Sequence, residues 1–307
     1  MSIDVLQEKI RKMKNPSMVG LDPSPETVPS HLIQEAVDQH GATPEALSFA
    51  YETFCAALLT ALKGIVPAVK VQSACFDALG APGVSAMQRV LKLAQKLGYY
   101  VVLDSMRGDV GIIAELCARS LFGQVQVGEE TFQPYVCDGI TLNGYLGGDS
   151  IAPFLPYCEK DKKNLFILVK TSNRTSMEVQ DLLSGGRLVH TAMADLVNRW
   201  GAGMQGKCGY SQVAAVVGAT YPNILKTLRS KYPNMFFLVP GYGAQGGTAK
   251  SVSNAFDRLG HGAVVSASRS VIAAWKKAET DGRDYVEQAV SAAEKMKKDI
   301  AKYTVVM

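Results

Sequence analysis

Eight short apolar runs recur along this chain, and their spacing constrains the fold more than any other feature. They are SMVGLD (17–22), VPAVKVQ (66–72), YYVVLD (99–104), VCDGITLN (136–143), LFILVK (165–170), VAAVVGA (213–219), MFFLVP (235–240) and GAVVSAS (262–268). They are bounded by Gly, Pro, Asn or Asp, and most are continuous rather than alternating, as strands buried on both faces read. Segments with helical spacing lie between them, at 44–62, 83–97, 109–123, 221–231 and 271–300. Strands alternating with helices in this number predict an α/β fold, a single (β/α)8 TIM barrel. A doubly wound sheet is the alternative, but no GxGxxG follows the first run. Neither an internal repeat nor a low-complexity linker interrupts the chain, so one barrel domain is expected over 1–307.

Composition supports a packed core. Of the 307 residues, 47% are hydrophobic and 20% charged, which excludes disorder as the main state. The net charge of +4 is carried by dispersed Lys and Arg, too mild to argue for nucleic acid but suited to a small anionic ligand. The six cysteines form no CxxC pair, so zinc ribbons and redox dithiols are not expected, and scattered thiols read as reduced and intracellular. The start, MSIDVLQEKIRKMK, is amphipathic and charged, and no apolar run reaches the roughly 18 residues that span a bilayer. A cytoplasmic protein with no membrane partner is the expectation.

Polar residues gather at the ends of the apolar runs. Asp22 closes the first, Lys70 and Gln72 the second, and Asp104 the third. Asn143 follows the fourth, Lys170 to Asn173 end the fifth, Pro240 and Gly241 the seventh, and Ser268 and Arg269 the eighth. An unpaired buried charge is costly, so buried strands rarely finish on charge by accident. In a barrel the C-terminal strand ends form the active face. Two further stretches belong to this ring. PGYGAQGG (240–247) and SRS (268–270) follow the last two runs, where barrels hold phosphate on backbone N–H groups and a helix N-terminus. A plain turn or a helix cap is the simpler reading of any one of these residues, Asn143 and Ser172 above all.

With these motifs in place, the chain resembles the orotidine 5′-monophosphate decarboxylase family, in its longer subfamily. The resemblance rests on GLDP (20–23), VKVQ (69–72), LDSMRGDVG (103–111), NGYLGGDS (143–150), LVKTSN (168–173), VVGATYP (216–222), PGYGAQGG and SASRS. It implies a role for each matching residue. Asp22 would hold ribose hydroxyls, and Lys70 and Asp104 would belong to an alternating Lys–Asp–Lys–Asp array beside the reacting carbon. Asp109 would reach the site of a neighbouring subunit, making a homodimer. Gln72, Asn143 and Ser172 would contact the substrate, Ser172 at the pyrimidine. Gly241, Gly243, Gln245, Gly246 and Arg269 would hold the phosphate of a nucleoside monophosphate. The family uses no metal and no organic cofactor, and stabilises a vinyl carbanion that a lysine then protonates.

That lysine is missing. The family reads Asp-x-Lys-x-x-Asp, whereas here Met106 stands in the lysine position between Asp104 and Asp109. A thioether neither donates a proton nor carries charge. Ile112 and Ile113 replace small or hydroxylic residues, Arg174 and Gly144 stand where the family has Pro, and Ser266 and Ala267 replace Asn and Ser. The departures fall inside pocket motifs while the scaffold motifs are intact. This pattern predicts a pocket emptied and repurposed, by engineering rather than drift. Such a pocket, made apolar by Met106, Ile112 and Ile113, would use Asp104 for proton abstraction or Lys70 for Schiff-base chemistry on a small apolar substrate. The alternatives are orotidylate decarboxylation or an inactive ligand-binding variant of it, a non-catalytic nucleotide-binding relative, and a hydrolase built on Cys75 or Ser with His31, His40 or His190. His261, which precedes the eighth run, belongs to the opposite face. The segment 23–43 is either a lid or an insertion.

Overall fold

The structure, a computed structural model, describes residues 2–307. The eight apolar runs become strands β1 Ser17–Leu21, β2 Ala68–Gln72, β3 Tyr100–Arg107, β4 Gly139–Leu142, β5 Asn164–Lys170, β6 Val213–Val217, β7 Phe237–Pro240 and β8 Ala263–Ala267. Each pairs in parallel with its neighbours in sequence, and β8 pairs with β1 to close the barrel. The continuous apolar runs are explained by two cores. Outward side chains such as Val69, Val71, Val101, Leu103, Ile140 and Val265 pack under the helices. Inward ones, including Met18, Ala68, Tyr100, Val102, Phe166, Ala214, Leu238 and Val264, fill the barrel. Gly139 makes room for this filling, because a Cβ there would lie 2.8 Å from the Phe166 ring.

The first helix, α1 Ser2–Met13, closes the N-terminal end of the barrel. Its Ile3, Leu6 and Ile10, spaced three and four apart, join the inner core, and the hydroxyl of Ser2 donates to the Tyr100 hydroxyl at 3.0 Å. One end of the barrel is thus plugged, and a ligand has only the C-terminal mouth to enter.

Residues 23–43 carry α2 Ser30–His40, whose Ala36 packs on Ala46 and Ala50 of α3 Pro44–Ala61. Small side chains at that contact let the two helices approach closely. The stretch 271–300 is not one helix. It breaks into α4 Arg269–Ile272, a 3-10 segment Ala274–Ala278 and α5 Tyr285–Ala301. Glu279 and Gly282 take positive φ at the break, and Thr280 donates to Asp284 at 2.6 Å. Among the described residues, no helix is long and apolar enough to cross a membrane.

Candidate functional site at the C-terminal mouth

Because successive strand side chains alternate between faces, the last inward position of each strand meets the others at the mouth. Inward residues near these strand ends, Lys70, Asp104, Thr141, Leu168, Val216, Leu238 and Ser266, line a cavity of about 200 Å³. Asp22, Gln72 and Met106 rise on one wall, and Ser172, Gly241, Gln245 and Arg269 on the other.

Asp104 is the hub of the first wall. It is buried, and both its oxygens are engaged. Oδ2 accepts hydrogen bonds from Lys70 Nζ and from Gln72 Nε2, the latter at 3.1 Å, while Oδ1 accepts from the Thr141 hydroxyl at 2.6 Å. Lys70 Nζ also lies 3.6 Å from Asp22 Oδ1. Burial disfavours the charge on Lys70, but the carboxylates of Asp104 and Asp22 outweigh it and push its pKa above the ordinary lysine value. Lys70 is therefore a cation at neutral pH and not a neutral amine. This direction works against the Schiff-base chemistry expected of Lys70, since an iminium forms from the free base.

Met106 sits where β3 leaves regular geometry. The ladder to β4 pairs Leu103 with Ile140 and next pairs Arg107 with Leu142, so the intervening residues of β3 bulge. Met106 takes φ 47°, in the left-handed region that costs an L-residue about 1–2 kcal/mol. Its side chain is 47% exposed and lines the cavity beside Asp104.

The second wall is the glycine-rich loop. Gly241 has φ 97°, and a Cβ there would lie 2.7 Å from Gln245 Oε1 and 3.2 Å from Ser172 Cβ. Only glycine lets the backbone come this close to both residues. Gly243 and Gly246 also have positive φ, but they line a groove on the outer side of the loop, between it and α5.

Other expected site residues lie elsewhere. Asn143 is exposed, and its Oδ1 accepts from the Tyr145 amide at 3.0 Å, which makes it a helix cap. Ile112 and Ile113, 70% and 45% exposed, do not line this cavity within one chain. Their place on the outer face of the helix Gly111–Phe122 corrects the expectation that they line it. Asp109 is also outside it, with Oδ1 accepting from the Val110 amide at 2.8 Å. Lys170 turns away from the mouth: its amine pairs with Asp181 at 2.8 Å and lies 4.5 Å over the Tyr221 ring.

The Cys–His arrangement is not assembled. No histidine lines the cavity. His40 packs at a tilt against the Phe49 ring, His190 is held by Asp181 at 3.1 Å and by the Gln180 carbonyl, and His261 meets the Met307 carbonyl. His31 faces Tyr285, 6.5 Å between rings. Burial, with Asp22 nearby, pushes the Cys75 thiol up to about 11, the opposite of an activated nucleophile.

Sequence reasoning missed Thr141, Leu168, Val216 and Leu238 as lining residues. The signal for several was present, because Thr141, Leu168 and Leu238 fall in the inward phase of their strands.

Comparison with known proteins bears on the family and the fold. A family model described as orotidine 5′-phosphate decarboxylase / HUMPS family matches residues 18–285. The orotidine 5′-phosphate decarboxylase of Rhodopirellula baltica is 37% identical over 274 residues, 89% of each chain. That of Clostridium acetobutylicum is 35% identical over 303 residues, 98% of this chain and 99% of the relative. Among solved structures, Leishmania donovani OMP decarboxylase aligns over 98% of both chains with a TM-score of 0.72 and 26% identity. The putative orotidine 5′-phosphate decarboxylase of Streptomyces avermitilis aligns over 98% of this chain and 95% of its own, with a TM-score of 0.76 and 26% identity. The family match covers every barrel strand but the first residue of β1, and on that ground the chain belongs to the orotidine 5′-phosphate decarboxylase / HUMPS family.

Proposed function

We propose that the mouth binds a pyrimidine nucleoside 5′-monophosphate and that the chain acts on orotidylate, with decarboxylation slowed by the absence of a lysine at position 106. The observation that carries this reading is that one cavity joins the Asp22–Lys70–Asp104 array to Gly241, Gln245 and Arg269. In this arrangement the phosphate lies against the loop backbone and Arg269, where N–H groups and a guanidinium suit an anion. Asp22 Oδ1 and Ser268 Oγ are buried without a hydrogen-bond partner, and ribose hydroxyls would satisfy both. The base then stands over Asp104 and Lys70, flanked by Ser172. The C6–carboxylate bond breaks, carbon dioxide leaves, and the electron pair stays on C6 next to the Lys70 ammonium. A proton must then reach C6 from Lys70 or from water, because Met106 has none to give.

The repurposed-pocket reading loses support once Lys70 is charged and Ile112 and Ile113 stand outside the cavity. The reading of a non-catalytic nucleotide binder keeps one observation in its favour, Met106 itself. A homodimer is part of the proposal. Asp109 is not needed by its own chain's cavity, and Val110, Ile112, Ile113, Leu116 and Leu146 are all substantially exposed apolar residues beside it.

Calorimetric titration with uridine 5′-monophosphate tests the site. Losing the charge-assisted bond of Arg269 removes about 1.5–3 kcal/mol, so Arg269→Ala should weaken binding roughly 10- to 150-fold with an unchanged melt. Equal affinity for both proteins would dismantle the phosphate assignment.

A further inference from the structure

The β3 bulge has three residues, Asp104, Ser105 and Met106, opposite a single residue of β4, Thr141. All three are tied to it. The Thr141 hydroxyl donates to Asp104 Oδ1 at 2.6 Å and accepts from the Met106 amide at 3.0 Å, and the Thr141 carbonyl accepts from the Ser105 hydroxyl at 3.2 Å. Thr141 is 1% exposed, so no water competes for these bonds.

We infer that Thr141 is a positioning residue: it fixes the carboxylate plane of Asp104 and holds residue 106 in its left-handed conformation, aiming that side chain into the cavity. Bulges next to active sites re-aim side chains, and a left-handed non-glycine residue persists only where its surroundings over-determine it. The one hydroxyl proton goes to the carboxylate and a lone pair to the amide, so a single side chain sets the distance between the carboxylate and position 106. Lys70 and Gln72 hold Oδ2 alone and leave the carboxylate free to swing about that oxygen. A merely structural threonine would satisfy a backbone group and leave this geometry unchanged when removed. The inference rests on reading the mouth as the nucleotide site only for its kinetic consequence, and the bulge geometry stands apart from it.

Thr141→Val and Thr141→Ser separate the roles. Crystal structures of both are expected to show residue 106 leaving positive φ and the Asp104 carboxylate rotated in Thr141→Val, and neither change in Thr141→Ser. An unaltered bulge in Thr141→Val overturns the inference whether or not the protein turns over orotidylate. In the Met106→Lys background, Thr141→Val should cut kcat on orotidylate roughly 30- to 100-fold with KM within about threefold, since small misplacements cost about that much. Thr141→Ser should stay within about threefold of the parent. Equal losses in the two variants, or a kcat within twofold in Thr141→Val, would also overturn it. If Thr141→Val does not fold, Thr141→Ala carries the same expectations. Failure of Met106→Lys to bind uridine 5′-monophosphate would sink the nucleotide reading instead, and the crystal comparison would still decide the part played by Thr141.

Discussion

Replacing Asp104 with Ala removes the acceptor for three donors at once, two of them buried and one half-buried. Lys70 loses its close partner, and the Gln72 amide and Thr141 hydroxyl each lose a hydrogen bond. Breaking one side of a buried ion pair costs about 3–5 kcal/mol, because the surviving charge is left uncompensated. Asp22, 3.6 Å from Lys70, takes over part of the pairing, which puts the expected loss near the lower end of that range. For a chain of 307 residues about 3 kcal/mol corresponds to a melting point lower by roughly 5 °C. The assay is urea and thermal unfolding at pH 7, followed by circular dichroism. The double variant Lys70→Met/Asp104→Leu is the control, since apolar replacement of both partners removes the stranded charge and should cost less than Asp104→Ala alone. Lys70 has a raised pKa in the folded protein, so its stabilisation is complete below about pH 10.4 and is lost only above it. On that account the stability lost in Asp104→Ala, taken as the difference from wild type at each pH, should be the same at pH 7 and pH 9. A loss under about 1 kcal/mol for Asp104→Ala, or a double variant worse than the single, would refute the claim that this pair is dry and coupled.

Three further outcomes are expected. Gly241→Ala should weaken uridine 5′-monophosphate binding at least about tenfold, because left-handed backbone costs about 1–2 kcal/mol and the new Cβ displaces Gln245 and Ser172; an unchanged titration counts against the close-approach argument. Burial works against the charge of Asp4, but hydrogen bonds led by the Cys208 amide at 2.8 Å hold its carboxyl down at about 2. The stability it brings is present above the unfolded value near 3.9 and fades as pH falls toward 2, so wild-type and Asp4→Asn melts should differ at pH 6 and converge below about pH 2.5; parallel curves would sink it. Ile112→Lys should shift the oligomer toward monomer in light scattering and reduce turnover, and a monomeric wild type would remove the proposal for Asp109.

The barrel was legible because burial on both strand faces writes itself as continuous apolar runs, and each run matched a strand to within a few residues. The polar mouth was legible for the same reason: Lys70 and Asp104 interrupt apolar strands in the inward phase. What the sequence concealed was set by tertiary context. Asn143 follows a strand as Lys70 ends one, yet its side chain turns back to cap its own helix. Ile112 and Ile113 sit in a pocket motif but on the outer face of a helix, which a single chain leaves exposed. Lys170 falls beside a bulge between β5 and β6, and this rotates it toward Asp181. Thr141 looked like an ordinary strand residue because a two-residue offset between ladders cannot be read from either strand alone. The break near Glu279 was marked by Thr280, Asp281 and Gly282, a turn signal that the surrounding helical spacing masked.

The most direct measurement is orotidylate turnover by this chain and by Met106→Lys, with the products identified and uridine 5′-monophosphate binding recorded for both. The account predicts that both bind the nucleotide, that the chain itself releases carbon dioxide far below an ordinary kcat of about 10 per second, and that Met106→Lys is at least about 100-fold faster. Turnover at an ordinary rate with Met106 in place, or no gain on restoring lysine in a protein that still binds uridine 5′-monophosphate, would contradict it.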